Sequence, residues 1–474
     1  MSVDFGKIYI NGHWQAPKTQ NTIALQNPAT LEFFAQVPDC NEVDVEAAIE
    51  AADAAFDAWS QTKLSDRIAL MEKMAVCFES MHDEIIDLEA KELGAPISFS
   101  RYSHCERQFL RIRCFIEAAK SLCPETKLKA STVVREPWGV VACITPWNYP
   151  LGQIVQKVIP AILMGNTVVL KPASNTPLTA YLLVEAFHRA GFPKGVINLV
   201  TGRGSRLGHL LATHPKVAMV SFTGSTEVGK SLAAAAAQSV KKTVLELGGK
   251  SAYIWLEAVD YRPAMHKLVS SVFFNSGQTC TALSRLIVPA KDIEKIKKLL
   301  LGEIAKLKVG DPTDPATDLG PVANKAQFET VKSYLQLGLQ EGARLLCGKV
   351  PESDADGFYV EPAIFVDVKN SMRIAQEEIF GPVLCVITYE TVEEAIAIAN
   401  DSVYGLSAAV FSPDKDEAIA VAHRIRAGGV YINDALRDES APFGGYKQSG
   451  HGREGGLAGL EEFSQTKTIF DNGH

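Results

Sequence analysis

Between residues 139 and 249 short apolar runs alternate with helical stretches, and each run ends on small or polar residues. Val140–Ile144 leads into Thr145–Pro150, Thr167–Leu170 into Lys171-Pro172, and Val196–Val200 into Thr201-Gly202-Arg203-Gly204. Val217–Phe222 leads into Thr223-Gly224-Ser225, and Thr243–Leu247 into Gly248-Gly249. Strands buried on both faces read as near-continuous apolar runs, and intervening helices supply the crossovers that parallel strands need. The pattern predicts a parallel, doubly wound sheet. Such sheets bind ligands beyond the carboxyl ends of their strands, which is where the polar motifs fall.

A second alternation follows Lys250. Ala252–Leu256, Leu286–Val288, Val383–Tyr389, Leu406–Phe411 and Val430–Ile432 read as strands, with helical stretches near 292–307, 326–339, 392–399 and 415–426. The expected class is α/β, with two doubly wound parallel-sheet domains. Ahead of them lie short strands and a packing helix with Val45, Ile49, Ala52, Phe56 and Trp59 at helical spacing, which Asn41 is placed to cap. The stretch 122–134 breaks the alternation and predicts a protruding hairpin. Phe463–Phe470 reads as a strand without a partner in sequence, a candidate for pairing between subunits.

The chain has 474 residues, more than one ordinary core accommodates, so two or three domains are expected. Lys and Arg number 47 against 55 Asp and Glu, a net charge of −8, and no basic stripe offers a footprint for nucleic acid. Met1–Trp14 has no apolar signal-peptide core. The longest apolar run, Val158–Leu170, is interrupted by Pro160 and Asn166 and is too short to span a bilayer. The expectation is therefore a cytoplasmic protein with no membrane or nucleic-acid partner. The nine cysteines include no C-x-x-C pair, and Cys105, Cys114 and Cys123 are nine apart, a spacing that fits neither a zinc site nor a disulfide frame. No metal is expected, and most of these thiols read as inert core residues.

One cysteine stands apart. Cys280 closes Phe274-Asn275-Ser276-Gly277-Gln278-Thr279-Cys280, a turn of small and polar residues. Three further motifs are polar at strand ends or turns: Pro146-Trp147-Asn148-Tyr149-Pro150, Leu245-Glu246-Leu247-Gly248-Gly249-Lys250 and Glu377-Glu378-Ile379-Phe380-Gly381-Pro382. Together with Pro442-Phe443-Gly444-Gly445-Tyr446-Lys447-Gln448-Ser449-Gly450, they make the chain resemble the aldehyde dehydrogenase superfamily over essentially its whole length, in its hydrolytic, NAD(P)-dependent branch. Glu246 and Cys280 stand 34 positions apart, as that family places them.

The resemblance implies that Cys280 is the nucleophile, that the Asn148 amide and the Cys280 backbone N–H hold an oxyanion, and that Glu246 is the general base for hydrolysis. The chemistry asks for these types. A thiolate adds to an aldehyde carbon, the tetrahedral oxyanion expels hydride, and the resulting thioester must meet an activated water. For the cofactor, the resemblance assigns Thr145 and Trp147, Lys171 and Ser174 toward the adenosine ribose, and Gly204 and Ser205 beside the adenine. Thr223, Gly224 and Ser225 open a helix toward the pyrophosphate. Leu247 and Gly248 make room for the nicotinamide, and Glu378 binds its ribose with Phe380 packed alongside. Tyr149, Gln153, Gln156, Thr279, Thr281, Arg437 and Phe443 line the approach of a small aldehyde. Residues 1–118 with 138–248 are expected to bind the dinucleotide, 249–450 to carry the cysteine, and 119–137 with 458–474 to join subunits as a dimer or tetramer.

Two positions depart from common family patterns. Strict NAD members often carry glutamate three residues after the lysine of the Lys-Pro motif, and here that position is Ser174. The change removes a charge that repels a 2′-phosphate, so NADP is expected to be accepted alongside NAD, with Arg203 or Arg206 as additional phosphate partners. Arg437 stands where relatives acting on simple aliphatic aldehydes often carry an apolar residue, which points either to a substrate with a carboxylate or phosphate or to a solvated arginine paired with Asp438 or Glu439. Three rivals remain: a CoA-acylating dehydrogenase, in which Glu246 is superfluous; a cysteine hydrolase without redox chemistry; and a non-catalytic relative, for which Cys280, Glu246 and Asn148 together have no use.

Overall fold

Strands Ile197–Leu199, Thr167–Lys171, Val140–Ile144, Val217–Thr223 and Lys242–Glu246 lie side by side in that order, all parallel, in the computed structural model, which describes residues 3–471. The chain steps outward from Val140–Ile144 in one direction and then resumes on its other side. The crevice at this reversal of strand order opens beyond Ile144 and Thr223. Register brings the motif ends level: Ile144 faces Lys171, Phe222 faces Ile144, and Thr223 faces Glu246. Antiparallel additions widen the sheet to eight strands, with Ile8–Ile10 and His13–Gln15 at one edge and Gly450–His451 at the other.

The second sheet has seven strands. Ala363–Val366, Val383–Tyr389, Arg285–Pro289, Ala252–Trp255, Ser407–Phe411 and Gly429–Ile432 are parallel, and Arg344–Cys347 adds an antiparallel edge. The strands expected from the sequence are present within one or two residues. Arg344–Cys347 and Ala363–Val366 were not expected. Both are four residues long, too short for a periodicity to show.

The helix Glu42–Ser60 is closed at its start by a capping box in which Asn41 accepts from the Asp44 N–H at 3.1 Å and Asp44 accepts from the Asn41 N–H at 3.2 Å. Val45, Ile49, Ala52 and Trp59 are buried, the face that the spacing predicts. A feature with no local signal lies further on: Arg101–Glu106 form a six-residue π-helix between Ile97–Ser100 and Arg107–Ser121. Such wide turns occur mostly at functional sites.

The C-terminal strand, read from the sequence as a candidate for intersubunit pairing, pairs within its own chain with the 122–134 hairpin region. Ser464–Phe470 pairs antiparallel with Ser131–Pro137 along seven residues, and Glu125–Leu128 completes a three-stranded sheet. Pairing partners more than 300 residues apart leave no trace in local periodicity. Residues 472–474, part of the expected C-terminal element, lie outside the described residues. Among the described residues no helix is long and apolar enough to cross a membrane.

Candidate active site

The turn that presents Cys280 is backbone-strained. Asn275 and Ser276 adopt φ of 54° and 53°, the left-handed region that costs a non-glycine residue about 1–3 kcal/mol. Neighbouring groups hold the strain. Ser276 Oγ donates to the Gly320 carbonyl at 2.7 Å, Gln278 Nε2 donates to the Asn275 carbonyl at 3.0 Å, and Gln278 Oε1 accepts from the Ala323 N–H at 2.8 Å. Gly277, at φ 72°, lies so close to the Gly381 carbonyl that any Cβ would collide. Small residues are thus needed to bend the chain here.

Two cavities meet at the half-buried Cys280. One, of about 250 Å³, is lined by Trp147, Asn148, Thr223, Gly224, Ser225, Leu247, Gly248, Glu378 and Phe380. The other, of about 340 Å³, is lined by Tyr149, Gln153, Gln156, Thr279, Thr281, Arg437 and Phe443. Cys280 is the residue common to both linings. Burial pushes its thiol up to about 12, and the charges of Glu378 and Glu246 add to the shift while Arg437 opposes it.

Asn148 is buried and donates from Nδ2 to the Gln278 carbonyl at 2.9 Å, while Asn275 Nδ2 donates to the Asn148 carbonyl at 2.8 Å. These bonds lock the end of the first sheet's central strand to the cysteine turn. The Tyr149 hydroxyl is 3.0 Å from Thr279 Oγ1, and its ring stacks on His104 at 4.8 Å. Glu246 lines neither cavity. It is buried, and neither carboxylate oxygen has a hydrogen-bond partner among the described residues. Burial pushes its carboxyl well above the usual range, the nearby Glu454 pushes it further, and Lys157, Arg453 and Arg437 oppose them. Glu454 is itself paired with buried Lys157 at 2.5 Å.

The first cavity has the features of a dinucleotide cradle. Ser225 caps the helix Thr226–Ala237 by accepting from the Val228 N–H, which leaves that helix's N-terminus facing the crevice. The Thr223 hydroxyl, in the cavity lining, is buried with no partner among the described residues, a costly state that an added polar group relieves. Glu378 accepts from the Gly249 N–H at 3.0 Å, and a Cβ on Gly248 would collide with Glu378 Oε2. Trp147 meets Phe380 edge-on at 5.3 Å, with Phe380 held at φ 59°. Burial lowers the Glu378 charge state's stability enough to raise its carboxyl to about 7.

Other predicted cofactor residues lie further along the same sheet edge, outside that cavity. Buried Lys171 donates from Nζ to the carbonyls of Pro172, at 2.7 Å, and Gly202, at 3.2 Å, and desolvation lowers it to about 8. A Cβ on Gly204 would stand 3.8 Å from that Nζ. Ser205 is exposed at the start of the helix Gly204–Thr213, and Ser174 is half-buried in the loop after Lys171. The loop arginines named for a 2′-phosphate lie beside Asp39 with exposed side chains. Arg206 Nη2 donates to Asp39 Oδ1 at 2.9 Å and to the Cys40 carbonyl, and Arg203 Nε stands 3.7 Å from Asp39 Oδ2. Asp39 is more than 160 residues away in sequence, so this pairing had no local signature.

The sequence reading also missed Gln327 and Thr330 in the first cavity and Arg107, Arg111 and Lys267 in the second. Only the i, i+4 spacing of Arg107 and Arg111 marked a shared helix face.

Sheets, crevice and thiol together define a two-sheet α/β protein with a cysteine at the meeting point of two cavities. The chain belongs to the aldehyde dehydrogenase family, whose model matches residues 14–469. It is 43% identical over 468 residues to a putative aldehyde dehydrogenase of Staphylococcus aureus, covering 98% of each chain. Among solved structures it resembles aldehyde dehydrogenase C of Pseudomonas syringae, a cysteine-to-alanine mutant complexed with NAD+ and octanal. The identity is 43%, with 99% of this chain and 98% of that one covered and a TM-score of 0.97. An aldehyde dehydrogenase of Mycobacterium tuberculosis complexed with NAD+ is 41% identical, with 99% of each chain covered and a TM-score of 0.96. Betaine aldehyde dehydrogenase of Staphylococcus aureus, complexed with NAD+, is 37% identical, with 100% and 96% coverage and a TM-score of 0.95.

Proposed function

We propose that this chain oxidises an aldehyde to the carboxylic acid with NAD(P)+, through a thioester on Cys280 that water hydrolyses with Glu246 as base. The observation that carries the reading is that Cys280 alone belongs to both cavities. An aldehyde reaches the thiol from one side and a nicotinamide from the other. Bound NAD(P)+ supplies the hydride acceptor. The thiolate of Cys280 adds to the carbonyl carbon, and the oxygen becomes an oxyanion. Asn148 spends one amide N–H on Gln278, which leaves its second N–H, with the Cys280 backbone N–H, to hold that oxygen. Collapse of the oxyanion releases hydride and leaves the thioester.

A CoA-acylating enzyme passes the acyl group to a thiol and has no use for a buried carboxylate base. Reduced-cofactor formation is expected with an aldehyde panel in the absence of CoA, with free acid as product. Turnover that depends on CoA, with acyl-CoA as product, would remove the hydrolytic reading.

For the cofactor we propose that NAD+ serves and that NADP+ is also admitted, because Ser174 brings no carboxylate to the ribose. Lys171 and Ser174 are proposed as the residues that meet the ribose. Steady-state kinetics are expected to show less than about a hundredfold discrimination, roughly 2.7 kcal/mol, between the two cofactors. Ser174→Glu should shift the balance toward NAD+. A stronger wild-type bias toward NAD+, or no shift in the variant, would place the choice elsewhere.

We further propose that residues 1–118 and 138–248 form the dinucleotide-binding domain and 249–450 the cysteine-bearing one. The three-stranded sheet of Glu125–Leu128, Ser131–Pro137 and Ser464–Phe470 is proposed to join subunits as a dimer or tetramer. It leaves Phe470 82% exposed, an apolar ring suited to burial against a second copy. Sedimentation as a monomer would overturn the assembly.

A further inference from the structure

The second cavity carries more positive charge than it neutralises. The helix Arg107–Ser121 presents Arg107 and Arg111 on one face, and both reach Glu439. Arg107 Nε is 2.6 Å from Glu439 Oε1, and Arg111 Nε is 2.6 Å from Oε2, so both carboxylate oxygens accept from these guanidiniums. Burial alone would raise the Glu439 carboxyl, but the guanidiniums of Arg111, Arg437 and Arg107 hold it below the usual range.

Arg437 is the third guanidinium on this one carboxylate. Its Nε lies 3.8 Å from Glu439 Oε2, beyond hydrogen-bond reach. Neutral groups fix it instead: Gln156 Oε1 accepts from Nη2 at 3.3 Å, and the Phe443 ring lies 4.2 Å beneath Cζ. Its side chain is 17% exposed. Lys267 lines the same cavity, held by the Ala435 carbonyl at 2.7 Å and stacked over Tyr431 at 3.9 Å. Four cations thus surround a space that contains one carboxylate and ends at Cys280. Partly buried positive charge in excess of the negative charge beside it is unfavourable, and such a concave, low-dielectric wall concentrates the field on whatever enters.

We infer that the substrate is a short aldehyde bearing a carboxylate at its far end, with that carboxylate seated on the Arg437 guanidinium. The inference rests on the proposal that Cys280 oxidises aldehydes. A guanidinium fork pairs with a carboxylate through two parallel hydrogen bonds, and Arg437, which lines the cavity, has no hydrogen bond from Nη1 among the described residues. The volume of about 340 Å³ sits at the small end of ligand pockets, which suits a short acid over a long alkyl chain. Neutral octanal and cationic betaine aldehyde, the aldehydes associated with two of the related structures, are poor matches for these walls.

The test compares kcat/KM for succinic semialdehyde, butanal and betaine aldehyde. The acid is expected to exceed butanal by about a hundredfold, the gain of two charge-assisted hydrogen bonds over none, and betaine aldehyde to be slowest. Arg437→Gln should cut the acid-to-butanal ratio at least about tenfold through KM, and Arg437→Lys, which keeps the charge and loses the fork, should fall between. Calorimetric titration with succinate reads the same site without turnover, and binding should weaken about tenfold in Arg437→Gln. Equal wild-type efficiency for acid and butanal, or an unmoved ratio in Arg437→Gln, overturns the inference while leaving aldehyde oxidation intact. If no aldehyde is oxidised, the proposed function fails and the succinate titration still decides the anion site. Tighter binding of inorganic phosphate than of succinate overturns the carboxylate assignment.

Discussion

Cys280→Ala is expected to lower aldehyde oxidation by on the order of 10⁴-fold or more, the scale of loss when a covalent nucleophile is removed. That corresponds to about 5.5 kcal/mol of transition-state stabilisation. NAD+ affinity should stay within about threefold, less than 1 kcal/mol. The two expectations separate because the thiol touches both cavities but bonds to one occupant. The cradle formed by Ser225, Gly248 and Glu378 does not depend on sulfur. Nor does the strained turn, which is held by Ser276 and Gln278. Isothermal titration with NAD+ beside steady-state assays would check both. Turnover at the wild-type rate sinks the covalent mechanism. Loss of NAD+ binding together with activity would mean that the substitution collapsed the turn, and would leave no support for Cys280 as nucleophile.

What the sequence made legible follows from how far each signal travels along the chain. Val140–Ile144 and Val217–Thr223 are buried on both faces, so they appear as apolar runs, and their polar ends mark the crevice directly. The Asn275–Cys280 turn shows itself by small residues because its backbone leaves no room for Cβ at Gly277. Interactions between remote segments left no such mark. Glu439 meets Arg107 and Arg111 across more than 320 positions, and Lys157 meets Glu454 across 297. Asp39 pairs with Arg206 across 167. The C-terminal strand belongs with these cases. Its alternation is visible, but its partner Ser131–Pro137 is set by the fold of everything between. Charge pairing in the second cavity is therefore the part of the site that required the structure.

Glu246→Gln is expected to behave differently from the cysteine variant: a burst of reduced cofactor close to one equivalent per active site, then a stall while the thioester persists. The difference follows from where Glu246 stands. It lines neither cavity, so aldehyde and cofactor enter without touching it, and the addition and hydride steps proceed. Its carboxylate oxygens have no hydrogen-bond partner among the described residues, so as a base they are uncommitted and can accept a proton from water. Burial, reinforced by Glu454, holds this carboxyl well above its ordinary value, which makes it a stronger base than an exposed glutamate. A base acts only when deprotonated, so wild-type steady-state turnover should rise with pH through the raised Glu246 value and level off above it. Glutamine has no proton to lose there, and the residual steady-state rate of the variant should not follow that limb. Removal of a general base typically costs about 10²–10⁴-fold, so steady-state turnover should fall by that factor while the burst survives. Rapid-quench kinetics and mass analysis of the quenched enzyme would read the two phases and the acyl adduct on Cys280. An enzyme that stalls without an acyl adduct, or that keeps its wild-type pH limb, would assign deacylation to another group, with Glu454 the neighbouring carboxylate to examine next.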